Sequence, residues 1–527
     1  MSSIATLLRT AAREYPDAEA IVDRGRRISF AEFDRSVDAL ASGLRDLGLV
    51  RGDRVALWLP NHAEYPISYL ACLRLGIIAV PINIRLADDE VSYVLEHSGA
   101  SALFTIGAFG GQDFLARSLA LKRRIPGLRR IVAAGTDARE RAEVLPLEEL
   151  SAATDRSAVG DSEDQVEDSN PALIIYTSGT TGRPKGVTIA HGALRFWSDR
   201  AAEAGFFRRG DRILLMVPFA TAAGSIIQTI PALRVGAALV LMETFKAERS
   251  LQLIQSERIT CLAGPPTIYI LQMNVPDFEG YDLSSLERTL VGAAPVASEL
   301  VEEMCRRLPS RVINAYGASE TAGLVTWMPP DASVEQITRT SGKPMPGFEM
   351  KIVDADRREV APGVVGEIAV RGGSIMQGYF RDDAQTAAVL DADGWWYSGD
   401  LGRIDADGFL TIEGRQKEMY IRGGFNVYPA EVEAALAKHP AILMAAVIGV
   451  PDPVLGEKGR AYIVLKEGST LTADEVKQFC RTRIADYKIP DYVTFRDALP
   501  LSGLGKIQKS RLIEEARVEA AVVSGRG

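Results

Sequence analysis

The chain has few cysteines and histidines, and this scarcity argues against several classes of function. Its 527 residues include four cysteines, at positions 72, 261, 305 and 480, with no CxxC pair among them. Such wide spacing does not fit a disulfide framework or a zinc ribbon, and it favours a reducing, cytoplasmic setting. The four histidines stand at positions 62, 97, 191 and 439 and form no HExxH pair. The sequence therefore gives no support for a zinc hydrolase.

Runs of basic residues and long apolar stretches are also missing. The chain carries 60 Lys and Arg against 69 Asp and Glu, a formal net charge of −9. Proteins that bind nucleic acid without sequence preference neutralise phosphates with basic side chains, so no nucleic-acid partner is expected. The most apolar stretch, 226–242, contains a glutamine, a proline and an arginine, which argues against a membrane span. The apolar run near the N-terminus is broken by Arg9 and Arg13, so we expect no secretory signal there.

The residues that are present predict a layered α/β protein. Hydrophobic residues make up 47% of the chain and charged residues 24%, as in ordinary globular proteins. Buried strands are predicted at 54–59 and 77–82, with helical patterns between and around them. The clearest helix follows from an apolar repeat close to 3.6 residues, formed by Phe30, Phe33, Val37, Leu40, Leu44 and Leu47.

The texture of the sequence changes twice further along the chain. Residues 151–171 are polar and acidic and read as an exposed connector, followed by a predicted strand at 172–176. Short β-rich runs separated by Asp/Gly turns fill about 340–415 and predict a small β-barrel or sandwich. We therefore predict an α/β fold. Its large N-terminal domain, 1–415, combines layered α/β subdomains with that small barrel, and a small, mobile α+β lid domain follows at 416–527.

A loop rich in glycine, serine and threonine follows the predicted strand at 172–176. Its glycines permit close backbone approach, its hydroxyls and N–H groups can face phosphate oxygens, and its lysine adds a cation. The spacing is not that of a Walker A loop, which requires GxxxxGK[ST]. The loop is predicted to bind phosphate through Thr177, Ser178, Gly179, Thr180, Thr181, Gly182 and Lys185.

Two further segments carry groups suited to a nucleotide. In the segment 314–321, the ring of Tyr316 could stack on a purine, and Glu320 offers the hard oxygen that Mg²⁺ prefers. The segment 395–400 ends in Asp400, whose carboxylate could accept hydrogen bonds from both hydroxyls of a ribose.

Taken in order, these motifs resemble the signature of the adenylate-forming superfamily, which includes acyl- and aryl-CoA ligases, amino-acid-adenylating domains and luciferases. The resemblance runs from about residue 20 to about residue 510. Segment 314–321 resembles the YGxTE motif, with Ser319 retaining the hydroxyl of the usual threonine. Segment 398–400 resembles the TGD motif, so Asp400 and Arg415 would hold the ribose. The resemblance also implies AMP contacts at Gly292, Ala293, Ala294, Asn314, Ala315, Tyr316 and Gly317.

The resemblance continues into the predicted lid. Segment 413–418 is similar to the family hinge, which places the hinge residue at Lys417. Gly423 and Gly424 resemble the strand that approaches the pantetheine arm of CoA. The segment 500–509 resembles the terminal lysine loop, with Lys506 at the catalytic position, although positions 501 and 504 are leucine where the family has a basic residue and Thr or Ser.

Together these motifs imply an ATP-dependent carboxylic acid:CoA ligase that works through an acyl-adenylate. Its cofactors would be ATP, Mg²⁺ and coenzyme A, with Glu320 as the metal ligand and Lys506, Glu320 and Ser319 as catalytic residues. Placement in the cytoplasm is expected, and a homodimer stays open. Two alternatives remain: an adenylating enzyme that loads the thiol of a separate carrier protein, and a nucleotide-binding sensor without turnover.

The acid itself is less well defined by the sequence. The family often has P-x-F-H-x-x-G along the acyl pocket, and this chain has Pro218-Phe-Ala-Thr-Ala-Ala-Gly224. Phe219, Thr221 and Gly224 are therefore the candidate pocket residues, with Thr221 at the usual histidine position. The tryptophan-rich block of acetyl-specific members is absent before Glu320. Fatty and aryl acids both stay open, and acetate is the least favoured.

Overall fold

The computed structural model describes residues 4–135, 143–152, 165–177, 184–294, 296–502 and 505–524. Most of the chain up to residue 415 is organised around two large sheets. The first has seven strands, parallel except for the last, which is an antiparallel edge strand. In spatial order they are Arg311–Ala315, Arg288–Gly292, Cys261–Gly264, Arg212–Leu215, Ala238–Leu241, Glu19–Asp23 and Arg26–Ser29.

The second sheet has eight strands and carries the start of the predicted phosphate loop. Its central strands are parallel, and an antiparallel hairpin at one side joins the strands on either side of that loop. In spatial order the strands are Gly378–Tyr379, Lys185–Ala190, Pro171–Thr177, Ile78–Pro81, Arg54–Leu57, Ala102–Ile106, Arg130–Ala134 and Leu145–Pro146. The strands predicted at 54–59, 77–82 and 172–176 are all confirmed, with small differences at their ends.

Helices accompany both sheets. The helix predicted from the apolar repeat spans Phe30–Asp46, and Ser29 begins it with a capping box to Glu32. Five of the six repeat residues are buried in the main core, whereas Leu47 follows the last helical residue and is only partly buried. The α-helices before residue 415 are Leu7–Glu14, Phe30–Asp46, Glu64–Leu75, Asp88–Ser98, Phe114–Arg124, Leu147–Leu150, His191–Glu203, Thr229–Val235, Ala247–Ser256, Pro266–Met273, Ser298–Arg307, Val334–Arg339 and Asp383–Val389, with a π-helix at Ala223–Gln228.

The predicted β-rich segment forms a four-stranded antiparallel sheet. An Asp/Gly turn connects its last two strands, as the sequence indicated, whereas a longer segment that contains the helix Asp383–Val389 joins its second and third strands. Closure of this sheet into a barrel stays a prediction. The strands are Phe348–Val353, Gly366–Gly372, Trp396–Ile404 and Leu410–Arg415.

The residues after 415 form a small α+β unit with its own core. A five-stranded sheet is covered on one side by the helices Pro429–Ala437 and Ala473–Arg481 and on the other by Lys509–Ser524, which pack in two separate apolar clusters. The prediction of a large N-terminal and a small C-terminal α/β domain is thus confirmed. The lid's strands are Phe425–Val427, Tyr420–Arg422, Gly456–Leu465, Ile442–Asp452 and Tyr492–Phe495.

Within the part of the chain that the structure describes, none of the helices combines the length and the apolar character needed to cross a bilayer.

Candidate active site

The candidate site begins where neighbouring parallel strands of the seven-stranded sheet end. Three adjacent strands finish at Gly264, Gly292 and Ala315, and Gly292 lies opposite Ala315 in the ladder. Ligands of open α/β sheets bind at such carboxyl ends, because the loops that leave them can diverge around a ligand. The predicted AMP-binding residues of segments 292–294 and 314–317 therefore lie side by side.

Small residues at these strand ends are required by close backbone contacts. A Cβ at Gly292 would lie 2.5 Å from the carbonyl oxygen of Ala315, and one at Gly317 would lie closer still to that of Gly323. Ala293 adopts φ +67°, a left-handed conformation that a non-glycine residue rarely occupies. Strained backbone of this kind is concentrated at functional sites.

The two predicted ribose-binding residues contact each other, and Tyr316 contacts Asp400 as well. The Tyr316 hydroxyl donates to Asp400 Oδ2 at 2.8 Å, and Arg415 Nε donates to Asp400 Oδ1 at 3.0 Å. Asp400 is 8% exposed, whereas the Arg415 side chain is 62% exposed. The nearby carboxylate of Asp400 raises the pKa of Arg415, so this guanidinium stays charged. Each carboxylate oxygen keeps a lone pair that could accept a ribose hydroxyl.

The backbone around Asp400 is fixed by its neighbours. Ser398 Oγ donates to the carbonyl of Ile368 at 2.7 Å and accepts from the N–H of Asp400 at 3.0 Å. Gly399 takes φ +71°, and its N–H donates to Glu367 Oε1 at 2.8 Å. The serine that replaces the usual threonine thus holds the turn that presents Asp400.

Glu320, Tyr379 and Lys185 form a second cluster, in which Tyr379 contacts the other two residues. Glu320 lies in the one-turn 3₁₀ helix Ser319–Thr321, where Ser319 is partly buried. The Tyr379 hydroxyl donates to Glu320 Oε1 at 3.0 Å, and Lys185 Nζ lies 4.6 Å from the centre of the Tyr379 ring. Burial and the nearby Lys417 lower the pKa of Lys185, while Glu320 opposes the shift.

The phosphate loop is described only at its two ends. Thr177 ends one strand and Lys185 begins the next, and the two residues face each other in the hairpin. The predicted contacts at Ser178, Gly179, Thr180, Thr181 and Gly182 lie outside the described residues.

The helix Asp88–Ser98 contacts both flanks of that loop. The Tyr93 hydroxyl donates to the carbonyl of Pro184 at 3.1 Å. His97 Nδ1 lies 2.8 Å from the Tyr176 hydroxyl, and the Tyr93 and His97 rings stack on one another. The segments before and after the loop therefore both form hydrogen bonds with the same helix.

Lys506 reaches the large domain from the lid. Burial and, to a smaller extent, the charge of Arg415 lower the pKa of Lys506 to about 8, although Asp400 and Glu320 oppose the shift. Lys506 is therefore close to the ribose group and to Glu320 at the same time. The tertiary structure thus brings Lys506 close to Glu320, although the two residues are 186 positions apart in the sequence.

The predicted hinge and CoA-binding residues lie on the exposed side of the lid. Lys417 occupies the turn after the strand Leu410–Arg415, and the N–H of Glu418 donates back to the carbonyl of Arg415. Gly423 and Gly424 form the exposed tip of the next hairpin, with φ +58° and +88°.

The predicted acyl-pocket residues follow the strand Arg212–Leu215, which belongs to the same sheet edge. Phe219 is fully buried, stacks on Tyr65 with ring centres 4.9 Å apart, and its N–H donates to Asn61 Oδ1. The Thr221 hydroxyl donates to the carbonyl of Pro218 at 2.7 Å, so it satisfies its own backbone. A Cβ at Gly224 would lie 2.4 Å from the same carbonyl.

Sequence reasoning missed several residues of this site. Tyr379 and Tyr93 belong to no motif, and each acts through a contact with a residue distant in sequence. His97 was noted only as an unpaired histidine. Its position four residues after Tyr93 on a helix was the available signal, since such residues share one face.

The residues at the site fit a Mg²⁺ ion that is shared with a substrate. Among the described residues, no group of three or more His, Cys, Asp or Glu side chains is arranged to hold a metal. Mg²⁺ needs no such cage, because it usually keeps several waters and takes one or two carboxylates plus phosphate oxygens. The partly buried carboxylate of Glu320 matches that requirement.

Comparison with known proteins identifies the family. The AMP-binding enzyme profile matches residues 8–380, and that of the AMP-binding enzyme C-terminal domain matches 431–506. A methyl-dioxo-octahydroindenyl-propanoyl:CoA ligase of Rhodococcus jostii is 38% identical, over 97% of this chain and 98% of the relative. A feruloyl-CoA synthase of Amycolatopsis is 36% identical, over 95% and 96%.

A solved structure extends the match to the whole fold. The crystal structure of the anthranilate CoA ligase AuaEII in complex with anthranoyl-AMP aligns with a TM-score of 0.88 and 26% identity, over 98% of each chain. The order of the motifs, the geometry around Asp400 and Lys506, and these matches agree. This chain belongs to the AMP-binding enzyme family of adenylate-forming acyl-CoA synthetases and ligases.

Proposed function

We propose that this protein joins a fatty or aromatic carboxylic acid to coenzyme A in two steps, first forming an acyl-adenylate from ATP. It is an AMP-forming acid–thiol ligase. One observation carries the assignment of the site: the lid is bonded to the large domain at Gly505, and Lys506 is close enough to Asp400, Arg415 and Glu320 for their charges to shift its pKa. That arrangement gathers cationic and hydrogen-bonding groups where two anions must meet.

Asp400 would bind the ribose of the nucleotide. Its carboxylate is oriented by Tyr316 and Arg415, so it needs no rearrangement to accept the two hydroxyls. The small residues at 292–294 would leave room for the adenine beside the strand ends. Asn314 supports this edge, because its amide donates to the carbonyl of Thr340 at 2.9 Å.

The phosphates would lie between the loop 177–185 and Glu320. Lys185 would neutralise charge on the β- and γ-phosphates, and the Ser319 hydroxyl would contact the α-phosphate. Glu320 would hold Mg²⁺, which would offset phosphate charge when bound. The Tyr379 hydroxyl keeps the Glu320 carboxylate in place for this role.

In the first step an oxygen of the substrate carboxylate attacks the α-phosphorus of ATP. The bond from that phosphorus to the bridging oxygen breaks, and pyrophosphate leaves with the electron pair. Lys506 would bridge the carboxylate and the α-phosphate oxygens, where negative charge accumulates in the transition state. Preorganised cations and donors at such positions account for much of enzymatic rate enhancement.

In the second step the sulfur of CoA attacks the acyl carbon, AMP leaves, and the thiol proton passes to solvent. Lys506 belongs to the lid and occupies the proposed site in this arrangement. The lid would therefore have to rotate about Lys417 before the thiol could enter. Gly423 and Gly424, exposed at a hairpin tip, would then approach the pantetheine arm. Their lack of side chains suits a close backbone contact.

The acid would occupy the space bounded by the segment after the strand Arg212–Leu215 and by residues 292–294. The bicyclic and feruloyl acids named for two relatives are bulky and largely apolar, which supports the same class here. The Thr221 hydroxyl is engaged with its own backbone, so it would present its methyl group rather than act as a gate.

The test measures pyrophosphate release with ATP and Mg²⁺ across linear, branched and aryl acids, with and without CoA. Fast turnover that requires CoA for one acid class supports the ligase and identifies the acid. Release of about one equivalent that CoA does not accelerate indicates an adenylating enzyme for a carrier-protein thiol. Bound ATP without any release indicates a sensor, and either result overturns the proposal.

A further inference from the structure

Among the described residues, a direct hydrogen bond joins the lysine loop of the lid to the large domain. Thr267 Oγ1 donates to the carbonyl oxygen of Gly505 at 2.6 Å. The two residues are 238 positions apart, and Gly505 immediately precedes Lys506. The bond therefore acts on the backbone that carries the catalytic lysine.

The donor is held rigidly by the sheet edge described above. Thr267 lies in the first turn of the helix Pro266–Met273, directly after the strand that ends at Gly264. It is 8% exposed, and the prolines at 265 and 266 restrict the backbone before it. A β-branched side chain at such a position has few rotamers, so its hydroxyl is directed at the lid with little loss of entropy.

The acceptor loop is held within the lid by other contacts. The N–H of Lys506 donates to Ser502 Oγ at 3.1 Å. Lys509 Nζ forms ion pairs with Glu418 at 2.8 Å and with Glu433 at 2.9 Å, and these carboxylates raise its pKa against the effect of burial. The loop thus moves with the lid, and Thr267 contacts it from the large domain.

We propose that Thr267 is a positioning residue that holds Lys506 in place for adenylate formation. The bond exists only while the lid lies on the large domain as in this structure, so it stabilises that arrangement and no other. When the lid turns away for thioester formation, the hydrogen bond between Thr267 and Gly505 breaks, and the second step does not need it. This inference rests on the proposed function of Lys506.

The experiment compares Thr267→Val with Thr267→Ser in the full-length protein. Single-turnover pyrophosphate release measures adenylate formation, and CoA added to supplied acyl-adenylate measures thioester formation. We expect Thr267→Val to slow adenylate formation about three- to tenfold, the range for one neutral hydrogen bond, while thioester formation stays within about twofold. Thr267→Ser should restore adenylate formation. Equal loss in both steps, or no loss in either, overturns the proposal.

A double variant separates positioning from a general structural effect. If Thr267 acts through Lys506, Thr267→Val should slow adenylate formation no further in a Lys506→Ala background, whereas independent effects would multiply. A matched control is Thr338→Val, because Thr338 is also buried and its hydroxyl donates within its own helix to the carbonyl of Glu335. It should leave both steps within about twofold of the parent.

The same assays distinguish failure of this inference from failure of the proposed function. If the parent protein forms adenylate and Thr267→Val does so equally well, the positioning role is wrong and the ligase assignment stands. If the parent protein forms no adenylate from any acid of the panel, the proposed function is wrong, and this inference is overturned with it.

Discussion

The two lysines of the site, Lys185 and Lys506, are held in different ways. Lys185 begins a strand that is paired on both sides, and it lies over the ring of Tyr379 from the neighbouring strand. Lys506 lies on a loop of the lid, where one hydrogen bond, from Thr267 to Gly505, links the backbone beside it to the large domain.

In the proposed function Lys185 and Lys506 have different tasks, and this explains why they are held in different ways. A group that binds phosphate from a fixed position gains from a sheet that cannot shift without losing many hydrogen bonds. A group that must leave between two steps has to be held by contacts that break easily. If the contacts were strong, they would stabilise the arrangement with the lid on the large domain so much that the lid would rarely turn away. In the proposed function, the large domain would provide the fixed part of this site and the lid would provide the part that moves away.

Removing the mobile cation should have the largest effect. We expect Lys506→Ala to slow adenylate formation about 10²- to 10³-fold, the loss typical of one preorganised group in the transition state. Thioester formation from supplied acyl-adenylate should be retained, since Lys506 is not needed there. Adenylate formation within about threefold of the parent would refute the role of Lys506.

Freezing the hinge should produce the opposite pattern. Lys417→Pro fixes φ near −65° in the turn after Arg415, and we expect it to spare adenylate formation but to slow thioester formation at least about 10²-fold, because the thiol is then misplaced. Stopped-flow measurement of both steps tests this. Equal loss in the two steps would show that residue 417 is not the hinge.

On the fixed side, Asp400→Asn should weaken nucleotide binding. The carboxylate is replaced by an amide that cannot accept from two hydroxyls with charge assistance, so we expect the KM for ATP to rise about 10- to 100-fold. The kcat at saturating ATP should fall much less. An unchanged KM for ATP would place the ribose elsewhere.

The pH dependence should report the mobile lysine. Lys506 has a pKa of about 8 beside Arg415, Asp400 and Glu320, so it is charged below that pH and neutral above it. We expect kcat/KM for ATP in the adenylation step to fall as pH rises through about 8, by about tenfold per pH unit beyond it. Lys506→Arg should abolish this decrease in kcat/KM, because arginine stays charged. If kcat/KM for ATP still fell above a pH of about 8 in Lys506→Arg, the decrease would belong to the titration of another group.

The smallest effect should come from the ion pair between the lid and the large domain. Lys438 Nζ lies 3.0 Å from Glu299 Oε1, but the Lys438 side chain is half-exposed. Surface ion pairs contribute little, so Lys438→Gln should slow adenylate formation less than about threefold, and added salt should abolish the difference. A larger effect than that of Thr267→Val would mean that charge, not the Thr267 hydrogen bond, docks the lid.

Much of the fold could be predicted from the sequence. The helix Phe30–Asp46 and the strands around 54, 78 and 172 follow from patterns of apolar residues, which depend only on neighbours in the chain. Asp400 and Lys506 could be named because the short motifs that contain them resemble those of the adenylate-forming superfamily. Tyr379 and Thr267 could not, because each matters through a contact with a residue 59 or 238 positions away.

The sequence by itself determined the chemical groups of this protein and their order: a loop rich in glycine and hydroxyls, the carboxylates predicted to bind a metal and a ribose, and a late lysine. Residue type and local backbone preference are properties of short segments, so short segments reveal them. Only the tertiary structure decided which groups meet. Packing at the strand ends places Tyr316 on Asp400, Tyr379 on Glu320 and Thr267 on the loop of Lys506, because those contacts depend on how distant segments fold together.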